Sequence, residues 1–217
     1  MRLYVALAAL FAAATISSCA SMSENECLVA DWHALGYEDG AQGRSPSYVA
    51  ERRQACAHHK VAMDFEDYLA GRERGLVAYC RPERGFNLGA QGGGYAGVCP
   101  AALEGPFMAQ YDLGRRLFDL SDAARRTHAE VEAAHARLEN LSARITDAEV
   151  SLVFDDLTIE ERAILVVRIA EMKEQRGAVR QSIPHLHRAQ AEAAANLESY
   201  EAWLEGERGP RMASAGD

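Results

Sequence analysis

Two long heptad runs limit what this chain can become. Counting from Leu113 at alternating spacings of four and three gives Leu113, Leu117, Leu120, Ala124, Thr127, Val131, Ala134, Leu138, Leu141, Ile145, Ala148 and Leu152, eleven of them apolar. The same count from Leu165 passes Ile169, Met172, Arg176, Val179, Ile183, Leu186, Gln190, Ala193, Leu197 and Tyr200 to Leu204, with ten of twelve apolar. Apolar residues at that period, with charges between them, form a coiled-coil seam. Phe154-Asp155-Asp156-Leu157 separates the runs, and Thr158-Ile159-Glu160-Glu161 spells a capping box. One helix should end near Val153 and the next start at Thr158. Two such arms on a short turn fold back as an antiparallel hairpin, each arm about 65 to 70 Å long. Pro184 interrupts the second arm, yet the heptad phase continues from Ile183 to Leu186. This predicts a kinked but continuous helix, with a fresh helix starting at Pro184 as the alternative. A two-helix hairpin has a thin core, which a third helix, a second copy or the rest of the chain could cover.

The residues before about 107 follow a different grammar, rich in Gly, Cys and aromatics, and Pro100 and Gly105-Pro106 punctuate the change. An aromatic followed three residues later by glycine recurs at Tyr37/Gly40, Tyr68/Gly71, Phe86/Gly89 and Tyr111/Gly114. Glycine costs about 1 kcal/mol inside a helix, so its repetition points to helices packed closely through glycine faces. A repeated ligand-binding element is the sharper alternative. Helices are expected over about 30–43, 47–59 and 64–79, with Ser47 and Asp64 as caps and Arg81-Pro82 stopping the third. Gly85 to Gly97 holds six glycines in thirteen residues and is expected to be loop. The last stretch, 207–217, is expected to be a frayed tail.

The chain opens on Met1-Arg2, an apolar run from Leu3 to Ile16, then Ser17-Ser18-Cys19. The run is too short to span a bilayer and reads as a signal peptide over 1–18. Ile16-Ser17-Ser18-Cys19 resembles the bacterial lipobox, which implies lipidation of Cys19 by acyl chains such as palmitate. Ala20 and Ser21 follow, and the lack of an aspartate there implies an outer-membrane protein facing the periplasm. The full chain carries a net charge of -9, which gives no attraction to phosphate and speaks against a nucleic-acid partner.

Four cysteines remain, Cys27, Cys56, Cys80 and Cys99. An even number in an exported chain reads as two disulfides. A zinc knot is the competing reading, but such knots favour ligands two to four residues apart, whereas these gaps are 29, 24 and 19. Three pairings are open. Antiparallel packing of helices 30–43 and 47–59 favours Cys27–Cys56, leaving Cys80–Cys99 to close the glycine-rich loop.

Met22-Ser23-Glu24-Asn25-Glu26-Cys27, Asp31-Trp32, Gly36-Tyr37-Glu38-Asp39-Gly40, Gly43, Tyr68-Leu69-Ala70-Gly71-Arg72, Gly75-Leu76, Tyr79-Cys80-Arg81-Pro82, Gly85-Phe86, Gly89 and Tyr95-Ala96-Gly97-Val98-Cys99-Pro100 together resemble a family of proteobacterial lipoproteins, domain of unknown function 2799. The resemblance covers roughly residues 19–120 and implies an envelope lipoprotein with no activity to carry over.

Catalytic constellations are not legible. His58 and His59 point apart on a helix, His128 and His135 lie about 10 Å apart along one, and His185-x-His187 is spaced for a strand. Each reads as a solvated histidine, with no metal or cofactor expected. Gly92-Gly93-Gly94 lacks the Lys-Ser/Thr of a phosphate loop. The expected architecture is all-α: signal peptide 1–18, a disulfide-stapled helical module over 19–106, an antiparallel hairpin over 107–206 and a tail. The expected role is that of a non-enzymatic, lipid-anchored envelope protein, binding a protein partner through the hairpin and its tip at Phe154 and Leu157. Self-association through the coiled coil is a further possibility. The alternative is a small-molecule or cell-wall fragment binder in which Trp32, Tyr37, Tyr68, Phe86 and Tyr95 stack on sugar rings.

Overall fold

The computed structural model describes residues 22–212, so the signal peptide, Cys19 and residues 213–217 lie outside the described residues. Among the described residues there are seven helices and no strand. They are α1 (Glu24–Leu28), α2 (Trp32–Ala41), α3 (Pro46–His58), α4 (Phe65–Tyr79), α5 (Pro82–Ala90), α6 (Ala101–Phe154) and α7 (Ile159–Met212).

Local chemistry places the starts. Asp31 accepts a hydrogen bond from the Ala34 amide at 2.8 Å, and Asp64 accepts one from Asp67 at 3.0 Å. Each satisfies an amide that the first turn leaves open. Helix α1 was not expected. Its signal was present, because the Ser23 hydroxyl accepts from the Glu26 amide while the Glu26 carboxylate accepts from Ser23 N–H at 2.7 Å. Helix α3 starts one residue before the expected Ser47 cap. Pro46 occupies the first helical position, where its missing N–H costs nothing, and Ser45 is the N-cap. The Ser47 hydroxyl is instead 2.6 Å from that of Ser45.

The glycine-rich stretch is corrected most. Residues 85–90 belong to α5, and only residues 91–100 are irregular. Pro82 starts the helix, and Gly85 fits against the Phe107 carbonyl, where a Cβ would collide. That approach goes with burial of Phe86, which is 7 % exposed. Burying such a ring is worth about 2 to 3 kcal/mol, more than the cost of one helical glycine.

Contacts divide the chain into two units: the described residues up to Leu88 with Gly93–Asp112, and Gly89–Gly92 with the described residues from Leu113 onward. The composition change at 100–106 is no helix boundary, because α6 begins at Ala101 and runs through Pro106. Pro106 falls in the second turn and deprives only the Ala102 carbonyl of its intrahelical donor.

The first unit has two small cores, one around Trp32, Val49, Tyr68 and the Cys27–Cys56 bond, the other around Leu76, Tyr79, Phe107 and the Cys80–Cys99 bond. The Cα atoms of the bonded pairs are 5.5 and 5.7 Å apart, and the pairing is the one the helix order favours.

The second unit is an antiparallel helical hairpin. Its register is read from Lys173–Glu149 at 2.7 Å, Gln190–His128 at 2.9 Å and Tyr200 Oη donating to the Leu113 carbonyl at 2.9 Å. All twenty-four heptad positions named above are buried or half-buried, with Leu141, Ile145, Ile169 and Met172 at the densest point. Helix α6 ends at Phe154 and α7 begins at Ile159 after Thr158, as the capping box requires. Helix α7 is continuous through Pro184, where Arg188 Nε reaches back to the Pro184 carbonyl at 3.3 Å. It also continues through 207–212, which the sequence assigns to a tail. Extending an existing helix costs less than nucleating one, and this carries it past Gly206.

Candidate functional site

The repeated glycines build one helix crossing in the first unit. Gly36 and Gly40 of α2 lie against the Tyr68–Leu76 backbone of α4, and Gly71 and Gly75 of α4 lie against the His33–Ala41 backbone of α2. Residue numbers rise together along both helices, so they cross in parallel. A Cβ at any of the four would meet a carbonyl oxygen at less than any real contact distance: Tyr68, Arg72, His33 and Tyr37 respectively. The helices therefore touch at backbone level, and only glycine permits it. Gly43, just beyond α2, has φ +68° and faces the Tyr79 ring, so it is required on both counts.

This crossing buries a carboxylate that nothing in the sequence singles out. Asp39 is 1 % exposed. Its Oδ2 accepts from Arg52 Nε at 2.7 Å and from Tyr68 Oη at 2.8 Å, and its Oδ1 accepts from Arg52 Nη2 at 2.9 Å. The fork satisfies both oxygens and joins α2, α3 and α4. Burial raises the Tyr68 pKa, and the hydrogen bond it donates to Asp39 raises it further. Burial works against the Arg52 charge, but the hydrogen bond and charge of Asp39 outweigh it, and its pKa is raised. Arg72, buried beside them, donates from Nη2 to the Arg44 carbonyl at 2.6 Å, while its Nη1 has no hydrogen-bond partner. The Asp39 carboxylate is saturated and closed to solvent, so it holds helices together and offers nothing to a substrate. Asp39 reads in the sequence as an ordinary helix charge. The one available signal was its place beside Gly40, on the face that must be free of bulk.

The five rings considered for stacking do not surround one cleft. Trp32 and Tyr68 belong to one core, Phe86 is buried, and Tyr95 is half-buried against Phe107 with its hydroxyl donating to Glu104 at 2.9 Å. Only Tyr37 is exposed.

The hairpin tip is apolar and open. Phe154 is 80 % exposed and Ile159 88 %, with Val150, Val153, Ile164, Val166 and Val167 exposed near them. Leu157 is half-buried, and with Glu161, Ile164, Leu165 and Arg168 it lines a shallow groove of about 220 Å³. At the other end of the hairpin a cleft of about 540 Å³ lies among Arg116, Leu120, Asn196, Ser199, Tyr200 and Trp203. There the Arg116 guanidinium sits 4.8 Å above the Tyr200 ring, and Tyr200 stacks on Trp203.

Among the described residues no group of three or more His, Cys, Asp or Glu converges as a metal cage, and no helix is long and apolar enough to cross a membrane. His128 and His135 are not brought together, but each meets a residue of the opposite helix, Gln190 and His187 respectively. No curated protein and no solved structure matches the chain. The segment that contains the glycine crossing, the Asp39 fork and the Cys80–Cys99 bond is matched by a family model: residues 31–116 match the model of the family described as Protein of unknown function (DUF2799).

Proposed function

We propose that the chain is a lipid-anchored cell-envelope protein with a non-catalytic, partner-binding role, and that the hairpin tip is the surface that engages the partner. The observation that carries this reading is the tip itself. Val153, Phe154 and Ile159 are 70, 80 and 88 % exposed on the turn between two helices whose heptad seams are already covered. Apolar side chains clustered in that way mark interaction surfaces. The anchor is supported by the apolar leader ending in Ser17-Ser18-Cys19. The disulfide-stapled unit suits an oxidising compartment such as the periplasm, and outer-membrane attachment is part of the proposal. Burial of Trp32, Tyr68 and Phe86 takes three of the five candidate rings away from sugar stacking, which supports the partner-binding reading over the alternative.

Two measurements test the reading separately. Membrane fractionation of wild type and Cys19→Ala tests the anchor: wild type should sediment with outer membranes and the variant should not. A photo-reactive side chain at Ile159 should cross-link one envelope protein, and Phe154→Ser with Leu157→Ser should abolish that product without lowering helicity. An unchanged product would remove the tip from the proposal.

A further inference from the structure

The hairpin register brings together two side chains from distant parts of the chain. His135 of α6 and His187 of α7 face each other with Nε2 atoms 3.4 Å apart. Their ring centroids are 5.6 Å apart and the planes are tilted by 56°. The placement follows from the seam. Glu149 lies fourteen residues after His135 and Lys173 fourteen before His187, and those two form an ion pair in the same register at 2.7 Å. The pair is therefore set by the coiled coil.

A separation of 3.4 Å is long for a hydrogen bond between two rings. It matches a different geometry. Two imidazole nitrogens bound to one tetrahedral ion at about 2.0 to 2.1 Å lie about 3.3 to 3.4 Å apart. Adjacent positions of a square-planar ion at a similar bond length would hold them at only about 2.9 Å. The distance fits a tetrahedral ion such as Zn²⁺, and imidazole ligands disfavour Ca²⁺ and Mg²⁺. His187 is exposed and His135 half-buried, so an ion can reach both from solvent.

We infer that His135 and His187 form a two-imidazole site for a tetrahedral divalent transition ion, Zn²⁺, which clasps α6 to α7. No third protein ligand converges among the described residues, so water occupies the remaining positions. The site is open in the way that structural four-ligand cages are not. An ion held from both helices binds the folded hairpin in preference to the unfolded chain, and so stabilises it.

The test uses the full chain without a polyhistidine tag, titrated with Zn²⁺ by calorimetry and with Co²⁺ as a spectroscopic probe. One ion per hairpin should bind, with the intense visible absorption of tetrahedral Co²⁺. His135→Ala and His187→Ala should each weaken Zn²⁺ binding by at least about tenfold, whereas His128→Ala should leave it unchanged. Zn²⁺ should also raise the urea midpoint of wild-type hairpin unfolding and leave the midpoints of the two alanine variants where they are. The inference is overturned if either variant binds as tightly as wild type, if Co²⁺ shows only weak octahedral absorption, or if Zn²⁺ does not move the wild-type midpoint.

Discussion

Replacing Gly71 with alanine tests whether the first unit depends on backbone contact between α2 and α4. A Cβ at Gly71 would lie 1.9 Å from the His33 carbonyl oxygen, and contacts of carbon with oxygen begin above 3.0 Å. The helices would have to separate by about 1 Å or more, because the obstacle is backbone and cannot rotate away. That displacement exceeds the slack in the 2.8 Å hydrogen bond from Tyr68 to Asp39. Overpacking costs about 1 to 3 kcal/mol, and the lost hydrogen bond to a buried charge about 1.5 to 3. Helix propensity returns about 1 kcal/mol. The expected net loss is about 1.5 to 5 kcal/mol. The chain has two tryptophans, Trp32 in the first unit and Trp203 in the second, so a Trp203→Phe background makes fluorescence report on the first unit alone. Urea unfolding followed in this way should show the destabilisation. Gly177→Ala is the control: nothing lies within 4 Å of its Cβ position, and hairpin helicity should gain up to about 1 kcal/mol. If Gly71→Ala unfolds at the wild-type urea concentration, the crossing is looser than described and the reasoning fails.

Two other expectations concern the same unit. Tyr68, Tyr79 and Tyr95 have pKa values raised by burial above the ordinary 10.0, so the folded state holds protons that the unfolded chain releases. Their contribution to stability is complete below pH 10 and falls as pH rises beyond it, so alkaline difference absorbance should show them ionising together with loss of Trp32 fluorescence. Reduction removes two cross-links worth about 3 to 4 kcal/mol each. Limited proteolysis should then cut first within residues 22–100 and leave 113–204 protected; early cuts in the hairpin would contradict its independence.

The hairpin was legible because its seam is periodic. One spacing rule repeated over some forty residues leaves little room for error, and Thr158-Ile159-Glu160-Glu161 marks the restart in four residues. The disulfide pairing followed from helix order for the same reason: a short turn fixes which ends meet. Helix α5 was missed because glycine count is a local quantity, while the gain from burying Phe86 is tertiary. The Asp39 fork was hidden because Arg52 and Tyr68 lie 13 and 29 residues away, and nothing local says that a helix carboxylate faces inward. His135 and His187 fail the spacing test along either helix and meet only once two helices are set in register.

The glycine crossing has a consequence for how this domain can vary. Most helix pairs are held by side chains that can be exchanged, because a smaller residue on one helix can be answered by a larger one on the other. At the four glycines of α2 and α4 no side chain lies between the backbones, so no such answer exists there. Four positions must stay empty together, and none can be refilled unless the others move. What identifies the crossing in a sequence is therefore a set of missing atoms at fixed intervals. Drift can alter the solvent faces of both helices freely, but an addition of one methyl group at the crossing is felt at Asp39, Arg52 and Tyr68 at once.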